Sequence, residues 1–484
     1  MAARLTALVV IAIVAVTFVA GLIVGAQRED DGPIDLIVLN ARVDRGDGVE
    51  PAEALAVRAN QILRVGTNRE MKRLKQRNTL VIDAHGGSVL PGFIDSSGDL
   101  LSIASASSSP VPAMLASTRS PDDARVRQVD AAIADAHRLG LTGVQAVTRT
   151  DADFAVLETL SKRGQLALRV SAALVATLPL TDAALASFDA TRAARSENPL
   201  LRTSTIRLTL DDRQHAVAPA SAQRRGKKAK ATALTSADTL TEALAKLDAH
   251  NWQIIVRAEH LDSVPTAIEG FERLMARVPA ARVKRHRLEV PEPLELHTMA
   301  RIEALGVIAV MPAADESARL LASATPSASV PTSAQDTLAP GTATIAAGAM
   351  AVVVPAATTP VARPWPVGDV VWGSLRSSDQ RTWINPLRDL DGVLARLPAT
   401  VSPAMEARQR ATFVRALTVN AVRASFDEAR RGALAPGKLA DFVVLSTDLF
   451  ALPTAKLHEL AVTVTVFDGK VAFEADAADG TPTP

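Results

Sequence analysis

One unit recurs through the middle of the chain: a capped amphipathic helix, a glycine stop and a short apolar strand. Ser120 followed by Pro121 and two acids reads as a helix start; Val126, Val129, Ile133 and Ala136 form one face, Gly140 ends it, and Val144 to Val147 follows as a strand. Ser236 to His250, with Leu240, Ala243, Leu244 and Leu247 inward, leads to a strand from Gln253 to Val256, and Pro293 to Leu305, stopped by Gly306, leads to one from Val307 to Met311. Further apolar strands fit at Ala167 to Val170, Thr205 to Leu210, Arg287 to Val290 and Asp369 to Trp372. Strands that alternate with helices demand a parallel sheet covered on its outer face, and about eight of them predict an α/β architecture closed into a (β/α)₈ TIM-like barrel.

The two ends break this rhythm. Ile34 to Val43, Ala54 to Gly66 and Thr79 to Leu90 are β-rich runs between Gly, Asn and Asp turns, and Phe442 to Leu445, Val462 to Phe467 and Lys470 to Phe473 around the turn Asp468-Gly469 form a matching group. A small β-sandwich assembled from residues 33–90 and 432–478 would bracket a barrel over 91–431. Residues 216–236, rich in Arg and Lys, and the Ala/Ser/Thr/Pro stretch 322–366 read as insertions into that barrel. The basic cluster Arg224, Arg225, Lys227, Lys228 and Lys230 reads as a solvated loop, with anionic lipid head groups as the alternative.

Ahead of all this, Leu5 to Ala26 carries no charge, and 22 residues at about 1.5 Å each match a hydrocarbon core of about 30 Å. Arg4 precedes the run and Glu29, Asp30 and Asp31 follow it, which predicts a single-pass transmembrane helix within residues 1–32 and an extracytoplasmic remainder, periplasmic or extracellular. A cleaved signal peptide, with small residues at Val24-Gly25-Ala26 and secretion of the rest, is the alternative. The 484 residues hold no Cys, which excludes disulfides, thiolate metal sites and a thiol nucleophile, and a metal would have to draw on eight His and the carboxylates. A net charge of +1 argues against nucleic acid as a partner.

Val89-Leu90-Pro91-Gly92-Phe93-Ile94-Asp95 near one end and Gly437-Lys438-Leu439-Ala440-Asp441-Phe442-Val443-Val444-Leu445 near the other resemble the amidohydrolase superfamily. Arg285-His286-Arg287-Leu288-Glu289, Arg423-Ala424-Ser425-Phe426 and Gly432-Ala433-Leu434 are similar to segments of its N-substituted formamide deformylase-like branch. The resemblance covers about residues 34 to 475 and implies a distorted barrel with a sandwich built from both ends. It also implies hydrolysis of amide or formamide C–N bonds by one or two divalent metals at the barrel mouth. There, coordination would lower the pKa of water from about 15.7 to about 7.

The ligand positions that the resemblance implies are filled differently here. Two first-strand His correspond to Ser97 and Asp99, the fourth-strand Lys to Arg207, the fifth-strand His to Arg257, the sixth-strand His to Val290 and the eighth-strand Asp to Leu375. A guanidinium cannot be carboxylated to bridge metals. The expectation is therefore a barrel that has exchanged its metal for an internal charge network, with Asp99, Glu259 or Glu289 as partners of the arginines. No cofactor is expected on this reading, a divalent metal such as zinc on its alternative. The partner would be an unidentified small molecule or protein.

Other candidates are weaker. His260 could serve as ligand or base, although a helix-start position suits it; strand parity would turn His286 inward with Val290. Ser97 and Ser374 lack a nucleophile-elbow context, and Asp211-Asp212 reads as a solvated acid pair. His137 reads as an ordinary helix residue.

Overall fold

A computed structural model describes residues 32–46, 49–106, 121–195, 198–211, 236–312, 370–373, 383–395 and 402–475. Leu5–Ala26, Ser374, Leu375, residues 322–366 and all of 216–236 except Ser236 lie outside those residues. Among the described residues no helix is long and apolar enough to cross a membrane.

The amino-terminal part supplies β1 (Leu36–Leu39), β2 (Arg42–Val43), β3 (Ala54–Arg58), β4 (Gln61–Gly66), β5 (Leu80–Asp83) and β6 (Ser88–Pro91). The run expected as one piece over 54–66 is a hairpin, because Ala59 takes φ +52° and turns the chain so that Val57 pairs with Ile62. The barrel strands are β7 (Phe93–Asp95), β8 (Leu141–Thr148), β9 (Arg169–Ala176), β10 (Leu201–Leu210), β11 (Gln253–Ala258), β12 (Arg287–Glu289), β13 (Ile308–Pro312) and β14 (Val371–Gly373). The chain closes with β15 (Phe442–Leu445), β16 (Val462–Phe467) and β17 (Lys470–Glu474).

One sheet has the order β4-β3-β1-β5 and a second β17-β16-β15-β6-β2, so that β6 from one end of the chain pairs antiparallel with β15 from the other. Leu36, Val38 and Val57 of the first sheet share one apolar cluster with Val89, Phe442, Val464 and Val466 of the second. The remaining eight strands form one parallel sheet in strict chain order, β7 to β14, and the Ser96 backbone N–H donates to Trp372 O at 3.1 Å across the seam. The result is a nearly closed barrel.

Period-two patterning decides which side chains face which way. Val170, Ala172 and Leu174 of β9, Ile206, Leu208 and Leu210 of β10, and Ile254, Val256 and Ala258 of β11 join the apolar layer under the helices. In that layer they meet Leu240, Ala243, Leu244 and Leu247 of the helix Ala237–Ala249, whose Ser236 cap accepts from Thr239 N–H as its sequence implied. The helix expected from Pro293 begins at Leu296 instead, with the extended Glu295 at its N-cap. The alternate residues of each strand, among them Arg207, Arg257, Arg287 and Glu289, are left for the lumen.

The carboxyl-terminal sheet is fastened to the amino-terminal end of this barrel by buried charge. Arg169, at the start of β9, donates from Nε to Asp441 Oδ2 at 2.6 Å and from Nη2 to Asp441 Oδ1 at 3.0 Å and Asp468 Oδ1 at 2.8 Å. Arg431 pairs with Asp427, Nε to Oδ2 at 2.6 Å, and fills space beside Gly143, where a Cβ would come within 2.8 Å of its Nη1. With this end closed, the carboxyl ends of the strands form the mouth.

Candidate active site at the barrel mouth

Register stacks the mouth residues in two levels. Arg207, Ile255 and Arg287 lie level across β10, β11 and β12. One level nearer the mouth, Arg257 is level with Glu289, and Glu289 with Val310 of β13. Glu289 is 1% exposed, so its charge must be met inside the protein.

Two groups meet it. Ser97, just past β7, donates from Oγ to Glu289 Oε1 at 2.8 Å, while its own N–H donates to Asp95 Oδ1 at 3.0 Å. Gly373 permits this: a Cβ there would stand 2.8 Å from Ser97 Cβ and 3.0 Å from its N. From the other side, Arg207 Nη2 stands 2.7 Å from Glu289 Oε2, an ionic approach whose alignment falls outside hydrogen-bond geometry. Burial lowers the pKa of Arg207, Glu289 opposes that effect and the Arg257 charge adds to it.

Arg257 pairs with Glu259, two residues along its own strand end, at 2.6 Å from Nε to Oε1 and 3.0 Å from Nη2 to Oε2. The expected partnership of the two arginines with Glu259 and Glu289 is therefore present. Asp99 takes a different cation: it accepts from Arg149 Nη2 at 2.9 Å and from Ser102 Oγ at 2.8 Å, acting on Arg207 only through its charge. His260 stands at the start of the short turn Leu261–Ser263, with Nε2 3.6 Å from Asp211 Oδ1, and Asp212, the other member of the expected acid pair, lies outside the described residues.

Two placements differ from the sequence reading. His286 does not enter the lumen. It is fully buried under the helices, where Nδ1 accepts from Ile254 N–H at 3.1 Å, Nε2 stands 3.4 Å from Asp248 Oδ1 and the ring stacks on Phe271. Val290 likewise packs in the apolar layer with Leu288. The physical reason is the alternation itself: apolar 288 and 290 go to the helix side, so charged 287 and 289 take the lumen. Glu289, rather than Val290, is what this strand presents to the mouth.

Arg287 was missed altogether. Its Nη1 donates to Gln145 Oε1 at 2.9 Å, and its Nη2 to Ala424 O at 2.8 Å and Gln253 Oε1 at 3.3 Å. The signal lay in the order polar, apolar, polar, apolar over Arg287-Leu288-Glu289-Val290.

A divalent ion needs several oxygen or nitrogen donors free to turn toward it. Glu289 has one oxygen on Ser97 and the other against a guanidinium, and Arg207 and Arg257 carry positive charge into the same space. Among the described residues no group of three or more His, Asp or Glu stands where it could hold a metal. These donors do not fit a divalent ion.

Comparison with known proteins gives the barrel its relatives. The family model described as "Amidohydrolase family" matches residues 101–473. Protein LONG AFTER FAR-RED 3 of Arabidopsis thaliana is 38% identical over 87 residues, which are 17% of this chain and 12% of that protein, so the chain spans only a small part of this curated relative. Among solved structures, a zinc-bound adenosine deaminase from Xanthomonas campestris is similar with TM-score 0.57 at 15% identity, covering 91% of this chain and 93% of its own. N-isopropylammelide isopropylaminohydrolase from Burkholderia multivorans is similar with TM-score 0.55 at 14% identity, covering 90% and 97% respectively. At such identities these structures speak to the fold.

Proposed function

The chain belongs to the amidohydrolase family, and from that premise we propose that it is a member that binds at its barrel mouth without metal-dependent hydrolysis. The observation that carries this reading is the seat of Glu289 between Ser97 Oγ and Arg207. A mouth that activates water on a metal must leave carboxylate and imidazole lone pairs free; this one holds one oxygen of its buried carboxylate by a hydroxyl and sets the other against the charge of a guanidinium.

On the same reading the uncharged run Leu5–Ala26 anchors the protein, with the barrel on the extracytoplasmic side, and the two end sheets pack as a small sandwich. The occupant of the mouth is a small molecule or a protein segment.

The second reading is an active, divergent metal-dependent hydrolase of amide or formamide C–N bonds, favoured by the family match and by a zinc-bound structural neighbour. An assay separates the two. The full-length chain is offered N-substituted formamides and simple amides with and without added zinc. We expect no turnover above that of Glu289→Gln in either condition; turnover that zinc raises and a chelator abolishes would establish the second reading.

A further inference from the structure

We propose that the basic face formed by the helix Asn68–Leu74 and the turn after it docks on anionic lipid head groups, beside the point where the chain leaves the bilayer. The proposal rests on the reading of Leu5–Ala26 as an anchor.

Charge is nearly even over the whole chain, 53 Lys and Arg against 52 Asp and Glu. Between residues 64 and 80 it is not: six Lys and Arg stand there against Glu70 alone. Local structure turns these cations outward. Thr67 caps the helix through a capping box with Glu70, and Met71, its one buried residue, joins the apolar cluster of Ile34, Ile37 and Ala56. With only Met71 inward, Arg69, Lys72 and Arg73 are exposed, and so are Lys75 and Arg77 of the following turn. None of these five has an ion-pair partner among the described residues. Lys72 acts on Asp83, and Arg73 on Glu70, only through charge. Leu80, which opens β5, is 50% exposed. Cations for phosphates together with an apolar side chain for the layer beneath them suit a membrane interface.

The position of this face points to its partner. Gln76 Oε1 accepts from Ile34 N–H at 3.3 Å, Thr79 Oγ donates to Ile34 O at 2.8 Å, and Leu80 N–H donates to Asp35 O at 2.9 Å. The basic turn is thereby stitched to the first strand after the anchor. Ala26 and Ile34 are eight residues apart, which span at most about 29 Å fully extended. An anchor ending at Ala26 therefore keeps the turn within that distance of the bilayer, whatever course the linker takes. The linker's own acids, Glu29, Asp30 and Asp31, can match at most half of the six cations. An anionic surface supplies the rest, and a neutral one does not.

The test uses the full-length chain, which has no Cys, so that Asn78→Cys carries a single fluorophore between Arg77 and Thr79. The protein is reconstituted in vesicles of phosphatidylcholine, alone or mixed with phosphatidylglycerol, with a quencher on the lipid head groups. Flotation in high salt shows whether the anchor holds it. Quenching should be several-fold stronger with phosphatidylglycerol and should fall to the phosphatidylcholine level in high salt. It should also be lost when Lys72→Gln, Lys75→Gln and Arg77→Gln are combined. A fluorophore at Val283→Cys, a barrel position 74% exposed, should not respond to lipid charge. Equal quenching in the two lipids, or a full response in the neutralised variant, would overturn the proposal. A response that appears only with Glu29→Gln, Asp30→Asn and Asp31→Asn would assign the face to the linker and overturn it too. Protein that does not float would defeat the anchor reading, whereas floating protein indifferent to lipid charge would defeat this inference alone.

Discussion

Arg207 reaches across one intervening strand to Glu289, Nη2 to Oε2 at 2.7 Å, and both side chains are almost fully buried at 9% and 1% exposure. Such a pair adds little net stability over apolar residues of the same size, but it makes each partner dependent on the other. Glu289→Gln leaves Arg207 and Arg287 without their shared counter-charge and should cost about 3 to 5 kcal/mol. Ser97→Ala removes one hydrogen bond to the same carboxylate and should cost about 1 kcal/mol. Urea unfolding of the two variants against the parent checks both figures and, more tellingly, their order.

Arg257→Ala is expected to be milder. Its side chain is 14% exposed and Glu259 31%, so solvent screens the pair in part. A loss of about 1 kcal/mol is predicted, above the ±0.5 of an ordinary surface change. A smaller loss, measured by the same unfolding, would place the Arg257 guanidinium in open solvent.

The fastening of the barrel to the carboxyl-terminal sheet should be more sensitive. Arg169 and Asp441 are 5% and 4% exposed and bonded twice. Asp441→Asn should destabilise by about 3 kcal/mol, read as a shift of the urea midpoint.

His137 supplies a pH dependence. It is 3% exposed and lies against Phe467. Burial lowers its pKa from 6.5, with the backbone at Ala167 and Leu141 and, less, the Asp441 charge opposing the shift in part. Below pH 6.5 the unfolded chain takes up this proton before the folded protein does, so stability is full above 6.5 and declines as pH falls beneath it. His137→Leu should flatten that decline between pH 6.5 and 5 in thermal melts, leaving the profile above pH 7 unchanged.

Much of the barrel was legible because its strands and helices obey different periods. The faces Val126, Val129, Ile133 and Ala136, and Leu240, Ala243, Leu244 and Leu247, are all buried as their spacing required. Pairing of the two chain ends was legible as two separated β-rich groups, though the hairpin at Ala59-Asn60 was not, since Ala59, which takes the positive φ, is not a usual turn former. At the mouth, Arg207, Arg257, Glu259 and Glu289 follow from strand position. Asp99 with Arg149 does not, because a loop residue's partner depends on where its neighbours end, which periodicity does not encode. His286 and Arg287 exchanged faces because the strand is only three residues long, and on so short a segment one polar residue more or less reverses the inferred parity. His137, taken as an ordinary helix residue, is buried because the carboxyl-terminal sheet covers the end of its helix, where Thr465 Oγ donates to His137 O at 2.7 Å.

The most direct measurement is the metal content of the purified full-length chain, followed by melting before and after chelation. A mouth in which Glu289 is bonded by Ser97 and charge-paired with Arg207 predicts zinc, iron and manganese far below one per chain and a melting temperature unmoved by chelator. One tightly bound metal per chain, with a melting temperature that falls when it is removed, would contradict the account.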